Sequence, residues 1–215
     1  MAKTALELLG VSQATQGRER LLDVAIELFY RNGFNAVGLD RILADAGVTK
    51  TTFYKHFESK DDLMVEAVRR RDAWESEAWG KAIHKIAGDD PRAMLLTMFD
   101  VLDEWFNAPD FGGCLFINTA AEFPNPNDPV HQAAAAYKKS KRDAWRDLAA
   151  KAGASDAETF ADFYTMLVEG TLILRQVHGR NDAARVARTM AQELVDRFIP
   201  TSKSRDGKKK AGSPK

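Results

Sequence analysis

The stretch LDRILADAGVTKTTFYKHFESKDDL, Leu39 to Leu63, constrains the fold more than any other part of the chain. It reads as two short helices joined by a glycine-centred turn and followed at once by the start of a third. Ile42 and Ala46 give the first helix a narrow apolar side. Gly47 ends it, because glycine takes a positive φ at no steric cost. Thr49 stands where its hydroxyl can cap the next helix. That helix, Lys50 to Phe57, carries Phe53 and Phe57 four residues apart, a spacing that anchors one side to a core. The other side holds Lys50, Thr51, Tyr54, Lys55 and His56, with no acid between Asp45 and Glu58. A short helix, anchored on one side and donor-rich on the other, after a tight turn, has the pattern of a helix-turn-helix that reads the DNA major groove.

Phe34, then Ile42-x-x-x-Ala46-Gly47-Val48-Thr49-Lys50, then Phe53-Tyr54-x-x-Phe57-x-x-Lys60-x-x-Leu63, resemble the N-terminal signature of the tetracycline-repressor (TetR) family. One departure lies at Val37-Gly38, where the family usually has Ser or Thr and this chain has a cap without a side chain. The resemblance implies an all-α fold: a three-helix DNA-binding domain plus a larger helical domain for effector binding and dimerisation. It also implies a sequence-specific transcriptional regulator, most simply a repressor released from its operator by a small molecule. Carried over position by position, it implies DNA contacts from Thr49, Lys50, Thr51 and Thr52 at the helix start. Tyr54, Lys55 and His56 follow, with Lys60 at the head of the next helix. The chemistry fits, since lysine, tyrosine and histidine donate to phosphate oxygens while threonine meets base edges.

The formal net charge is zero, with 31 basic and 31 acidic side chains, so affinity for DNA has to rest on a few placed groups. The single cysteine, Cys114, excludes an internal disulfide and fits a reducing compartment, with the bacterial cytoplasm as the expected location. No apolar run is long enough to cross a membrane, and no leader pattern opens the chain, so no membrane partner is expected. His84, His131 and His178 lack metal-ligand spacing, and no nucleophile–base pair stands out. Catalytic residues, metal and cofactor are therefore expected to be none. The rival reading is a helical ligand carrier or enzyme that keeps the N-terminal motif without regulatory DNA binding.

The expected domains are an arm over 1–16, the DNA-binding domain over 17–63, the effector and dimerisation domain over 64–200, and a disordered basic tail over 201–215. Gly17 to Asn32 carries Leu22, Ala25, Ile26 and Phe29 on one helical stripe. Glu58 to about Gly88 is a long helix opened by Ser59 with Asp62, and its Arg69-Arg70-Arg71 run reads first as a solvated face. Further helices are expected over Arg92–Asn107, behind the cap Asp90-Pro91, then over Cys114–Phe123 and Val130–Ala152. Ser155-x-x-Glu158 is a capping box for a helix ending at His178, and Asp182–Ile199 is the last helix. The helix to His178 is apolar on two sides, so it must be buried on two sides. Phe160, Tyr164, Leu167, Thr171 and Leu174, with Val186, Met190, Leu194 and Phe198, suit a four-helix interface between two copies. This matches the family's habit of dimerising through its last two helices, and a homodimer has the twofold axis that a palindromic operator requires.

The resemblance also implies an apolar pocket for a small effector. Candidates for its wall are Trp74, Met98, Phe99 and Trp105, then Phe116, Phe123, Tyr137 and Trp145, then Phe163 and Met166; plain core packing is the competing reading for each. Cys114, Asn118 and Glu122 are four apart and put a polar strip along an otherwise apolar short helix. Such a strip is either a hydrogen-bonded core feature or a set of pocket contacts. The run Gly113-Cys114-Leu115-x-x-Asn118 is similar to a subgroup that includes regulators answering reactive electrophiles or acrylate-like compounds. A helix start beside Cys114 favours the thiolate, whereas an inert buried thiol is the alternative.

Overall fold

A computed structural model describes residues 17–200; the arm and the basic tail expected at the two ends lie outside the described residues. Among the described residues the chain is all-helical, with α1 (Gly17–Asn32), α2 (Leu39–Ala46), α3 (Lys50–Tyr54), α4 (Lys60–Ala87) and α5 (Pro91–Phe106). The later helices are α6 (Leu115–Glu122), α7 (Pro129–Lys151), α8 (Ala157–His178) and α9 (Ala183–Phe198). None is long and apolar enough to cross a membrane. Two compact units result: the chain up to Asp72 with Leu115–Ala135, and Ala73–Cys114 with the chain from Ala136 onward. The grouping is discontinuous in sequence, unlike the contiguous division expected above.

In the first unit α1 buries Leu21, Leu22, Ala25, Leu28 and Phe29, while Ile26 is half-buried. Gly47 closes α2 at φ 62°, and Val48 N donates to Leu43 O at 3.0 Å. Helix α3 stops at Tyr54, short of the expected Phe57, because Lys55 N and His56 N turn back to Thr52 O and Phe53 O. The anchor survives: Phe53 and Phe57 are buried and stacked at 5.6 Å. Ser59 Oγ accepts from Asp62 N at 3.1 Å, and the Asp62 carboxylate accepts from Glu58 N at 3.2 Å, so the start of α4 is capped from both directions. The arginine run is mostly spoken for. Arg70 pairs with Glu19 and Asp23, and Arg71 lies over the Tyr30 ring, so only Arg69 is exposed.

In the second unit Asp90 caps α5 as expected, accepting from Arg92 N and Ala93 N at 2.9 and 3.2 Å. Helix α9 packs on α5 and α8. Its buried residues are mostly alanines, Ala184, Ala187 and Ala191, with Val195 and Phe198, so small side chains let the helices approach closely. Tyr164 is the central side chain. Its ring meets Phe99, Phe160 and Trp145 at 5.2 to 5.5 Å, and its hydroxyl donates to Leu95 O at 2.6 Å. Burial pushes the phenol well above its ordinary value, which keeps it a donor. The cap of α8 is Asp156, accepting from Thr159 N at 3.1 Å, and not Ser155, whose N–H donates to Phe198 O at 2.8 Å.

That packing corrects the expected partner-facing stripe. Phe160 and Tyr164 are fully buried within the chain, and Thr171 and Phe198 nearly so, because α5 and α9 of the same chain cover that side. Leu167 and Leu194 are half-buried. Leu174, Val186 and Met190 of that stripe are exposed, and the uncovered apolar side continues through Phe163, Met166, Ile173 and Val177 on α8.

Candidate nucleic-acid interface and small-molecule cavity

The reading helix is short, so its caps and anchors decide which side chains remain outside. Thr49 Oγ1 accepts from Thr52 N at 3.2 Å, and the two hydroxyls lie 3.0 Å apart. Both are therefore engaged in starting α3. Thr52 is also half-buried against Gly17, where an added Cβ would come within 3.1 Å of the threonine methyl. Lys50, Thr51, Tyr54, Lys55 and His56 stay exposed, Tyr54 by 56%, although its ring edge rests on Phe53 at 5.1 Å. A half-exposed ring, fixed by its neighbour and carrying a free hydroxyl, suits a phosphate contact. Lys60 differs from these, since its Nζ donates to Phe34 O at 2.8 Å. It positions the α1–α2 turn and has two remaining protons to offer outside. The departure at Gly38 is visible as an extended cap, φ −77° and ψ 152°, with no side-chain hydrogen bond.

The same turn is held from the other direction by Glu122, at the end of α6. Its two carboxylate oxygens accept from Phe34 N at 3.0 Å and Asn35 N at 2.8 Å. Gly33, at φ 83°, leaves room, since a Cβ there would meet Oε1 at 2.9 Å. Phe34 stacks on Phe29 at 4.6 Å and takes the edge of Phe123 at 5.9 Å, which seals the joint with apolar surface. Glu122 and Phe123 therefore serve the reading unit, where the sequence had suggested pocket lining. Phe116 is buried in the same unit, and Asn118 is half-buried on α6.

The second unit holds a half-open cavity of about 420 Å³. Of the expected wall residues, Met98, Trp105, Cys114, Tyr137 and Trp145 line it. Phe99 is buried in the core against Tyr164, Trp74 is half-buried on α4 and outside the lining, and Phe163 and Met166 lie on the exposed side of α8. The lining also holds residues that sequence reasoning passed over, among them Glu75, Trp79, Lys138, Thr165 and Glu169. Lys138 Nζ donates to both oxygens of Glu169 at 2.8 and 2.7 Å and to Cys114 Sγ at 3.5 Å. Glu75 accepts from the Tyr137 hydroxyl at 3.1 Å. Neither Lys138, in the polar run Lys138-Lys139-Ser140-Lys141, nor Glu169 carries a sequence signal that sets it apart from an exposed residue.

Residues 21–67 match the model for bacterial regulatory proteins of the tetR family, and residues 91–191 match the tetracyclin repressor-like C-terminal domain. Together these matches span more than two thirds of the chain. The HTH-type transcriptional regulator YjdC of Escherichia coli (strain K12) is 21% identical over 178 residues, 83% of this chain and 93% of that protein. Among solved structures, SCO4454, a TetR-family transcriptional regulator from Streptomyces coelicolor, is 28% identical with a TM-score of 0.77, over 85% of this chain and 96% of that one. The reduced form of E. coli NemR has the same fold, with 18% identity and a TM-score of 0.75 over 82% of this chain and 95% of that one.

Proposed function

Because the chain belongs to the tetR family of bacterial regulatory proteins and is a DNA-binding transcriptional regulator, not an enzyme, we propose that it is a homodimeric repressor whose paired α3 helices hold a palindromic operator. A small molecule entering the cavity releases it. The observation that carries this reading is the exposed, donor-rich side of α3 on a buried Phe53–Phe57 anchor. Lys50, Thr51, Tyr54, Lys55 and His56 meet the DNA, with Thr49 and Thr52 setting the start of the helix and Lys60 gripping its base. The second copy packs on the exposed apolar side of α8 and α9, giving the twofold axis that half-sites ~34 Å apart require. Ligand binding acts by favouring a dimer whose reading helices no longer match that spacing.

The full chain, titrated by fluorescence anisotropy against the DNA upstream of its own gene, should bind with strong salt dependence. Two copies of Lys50, Lys55 and Lys60 give about six phosphate contacts, so affinity should fall on the order of a thousandfold between about 50 and 200 mM salt. Binding that ignores both salt and sequence removes the operator assignment.

A second reading concerns the run from Gly113 to Asn118 and the subgroup it resembles. Its support is the ammonium of Lys138 beside Cys114 Sγ, both in the cavity wall. On this reading the thiolate adds to the activated double bond of an electrophile, forming an S–C bond while the neighbouring carbon takes a proton. Complete modification of Cys114 with N-ethylmaleimide should lower operator affinity at least tenfold, and Cys114→Ser should be insensitive. Unchanged affinity after complete modification leaves the thiol as a packing group.

A further inference from the structure

We infer that the cavity of the second unit takes an uncharged, flat aromatic molecule carrying one hydrogen-bonding group, of the phenol or aryl-ketone class. This rests on the reading of that cavity as the effector site. Three indoles, Trp79, Trp105 and Trp145, supply its aromatic wall, and Trp79 and Trp105 stand edge to face at 5.4 Å. Such surfaces favour a planar ring, which gains offset or edge contacts on several sides.

The charges in the wall argue against an ionic guest. Lys138 and Glu169 satisfy one another through two short contacts. The Glu75 carboxylate holds the Tyr137 hydroxyl, and the Lys141 ammonium sits 4.9 Å over the same ring while donating to Ser76 Oγ at 2.5 Å. Opposite charges thus meet on a single tyrosine. An ionic ligand seated among these groups would have to break one of these arrangements and leave its former partner uncompensated, at a cost that its own contact has first to overcome; of the other charged groups in the lining, Asp147 pairs with Arg146 and Lys151 is exposed to solvent. A neutral ligand disturbs none of them.

The hydrogen-bonding group is asked for by Thr165, also in the wall. Its Oγ1 is, among the described residues, the one buried side-chain oxygen or nitrogen without a hydrogen-bond partner. Threonines elsewhere in these helices return their hydroxyls to the carbonyl four residues back, as Thr119 does to Leu115 O at 2.8 Å and Thr171 to Leu167 O at 2.6 Å. Thr165 makes no such bond. Nothing holds its hydroxyl in place, so rotation about Cα–Cβ can turn it onto a guest. A hydroxyl both donates and accepts, so a phenol or a carbonyl satisfies it equally.

The test uses the full chain and quenching of its tryptophan fluorescence by three bicyclic probes of nearly equal shape: 2-naphthol, 2-naphthoate and naphthylmethylammonium. Neutral naphthol should bind at least tenfold more tightly than either ion. Equal or tighter binding of an ion, or no binding of any probe at millimolar concentration, overturns the inference. Thr165→Val keeps the shape and removes the hydroxyl, and should weaken naphthol five- to tenfold, with Thr165→Ser restoring most of the loss. Unchanged affinity in a folded Thr165→Val protein overturns the assignment of the hydrogen bond. Operator binding is followed separately in the same samples. Naphthol that binds without releasing DNA leaves the ligand class intact and counts against the effector reading alone.

Discussion

Replacing Met166 and Leu174 together by glutamate should yield a folded monomer that has lost operator binding. The two side chains are 70% and 41% exposed, and they lie with Phe163, Gly170 and Met190 along an apolar groove of about 410 Å³. Single exposed apolar residues are ordinary, but a continuous strip on two adjacent helices marks an interface. Across a twofold axis the double substitution brings four carboxylates into one contact, each with a desolvation cost of about several kcal/mol. Dimer affinity should fall by orders of magnitude. The chain's own core should not notice, because Tyr164, Val168 and Leu172 occupy the opposite side of α8. With one half-site per molecule, avidity is lost as well, and operator affinity should drop at least a hundredfold. Light scattering coupled to size exclusion gives the mass, and anisotropy gives the DNA binding. A variant that remains a dimer at micromolar concentration would show that the second copy packs elsewhere.

The second large effect is expected at the reading helix. Lys50→Ala with Tyr54→Ala should lower operator affinity at least a hundredfold while shifting the melting temperature by no more than a degree or two. Both side chains are exposed, and the anchors beneath them, Phe53 and Phe57, are untouched. Losing charge-assisted or phosphate-directed hydrogen bonds at about 1.5 kcal/mol or more each, in two half-sites, accounts for the size of the drop. Lys60 is left out of this variant on purpose. Its ammonium also holds the Phe34 carbonyl, so its removal would mix a DNA contact with a displaced turn. Full operator affinity in the folded double variant would place the reading surface outside α3.

Parts of the molecule were legible in its sequence alone. Helices and their ends were, because stripes and caps depend on neighbours a few positions away; Gly47, Thr49 and Asp90 act as their positions suggest. The orientation of α8 was not. Both of its sides are apolar, and packing against Leu95 and Phe99 of α5, Trp145 of α7 and the following helix α9 decides that Tyr164 faces inward and Met166 outward. The Asp156 cap was missed for a related reason, since the Ser155 amide is drawn to Phe198 O across the fold. In the cavity Trp105, Trp145 and Cys114 could be suspected from their chemistry. Lys138 and Glu169 could not, because two ordinary surface residue types, 31 positions apart, look exposed until they are seen paired.

The grip of Glu122 on the Phe34 and Asn35 amides bears on how such regulators can be recombined. A chimera that joins the reading helices of this chain to a foreign body by a cut after Asp72 would leave Leu115–Ala135 behind. The two amides would then lose their carboxylate, and Gly33 would keep a freedom that nothing constrains. Among the described residues the transplantable module is a split one, residues 17–72 plus the segment from 115 to 135, and a graft should respect both pieces. A bulkier residue at 33 would push the Glu122 carboxylate off the two amides and would itself be strained at φ 83°.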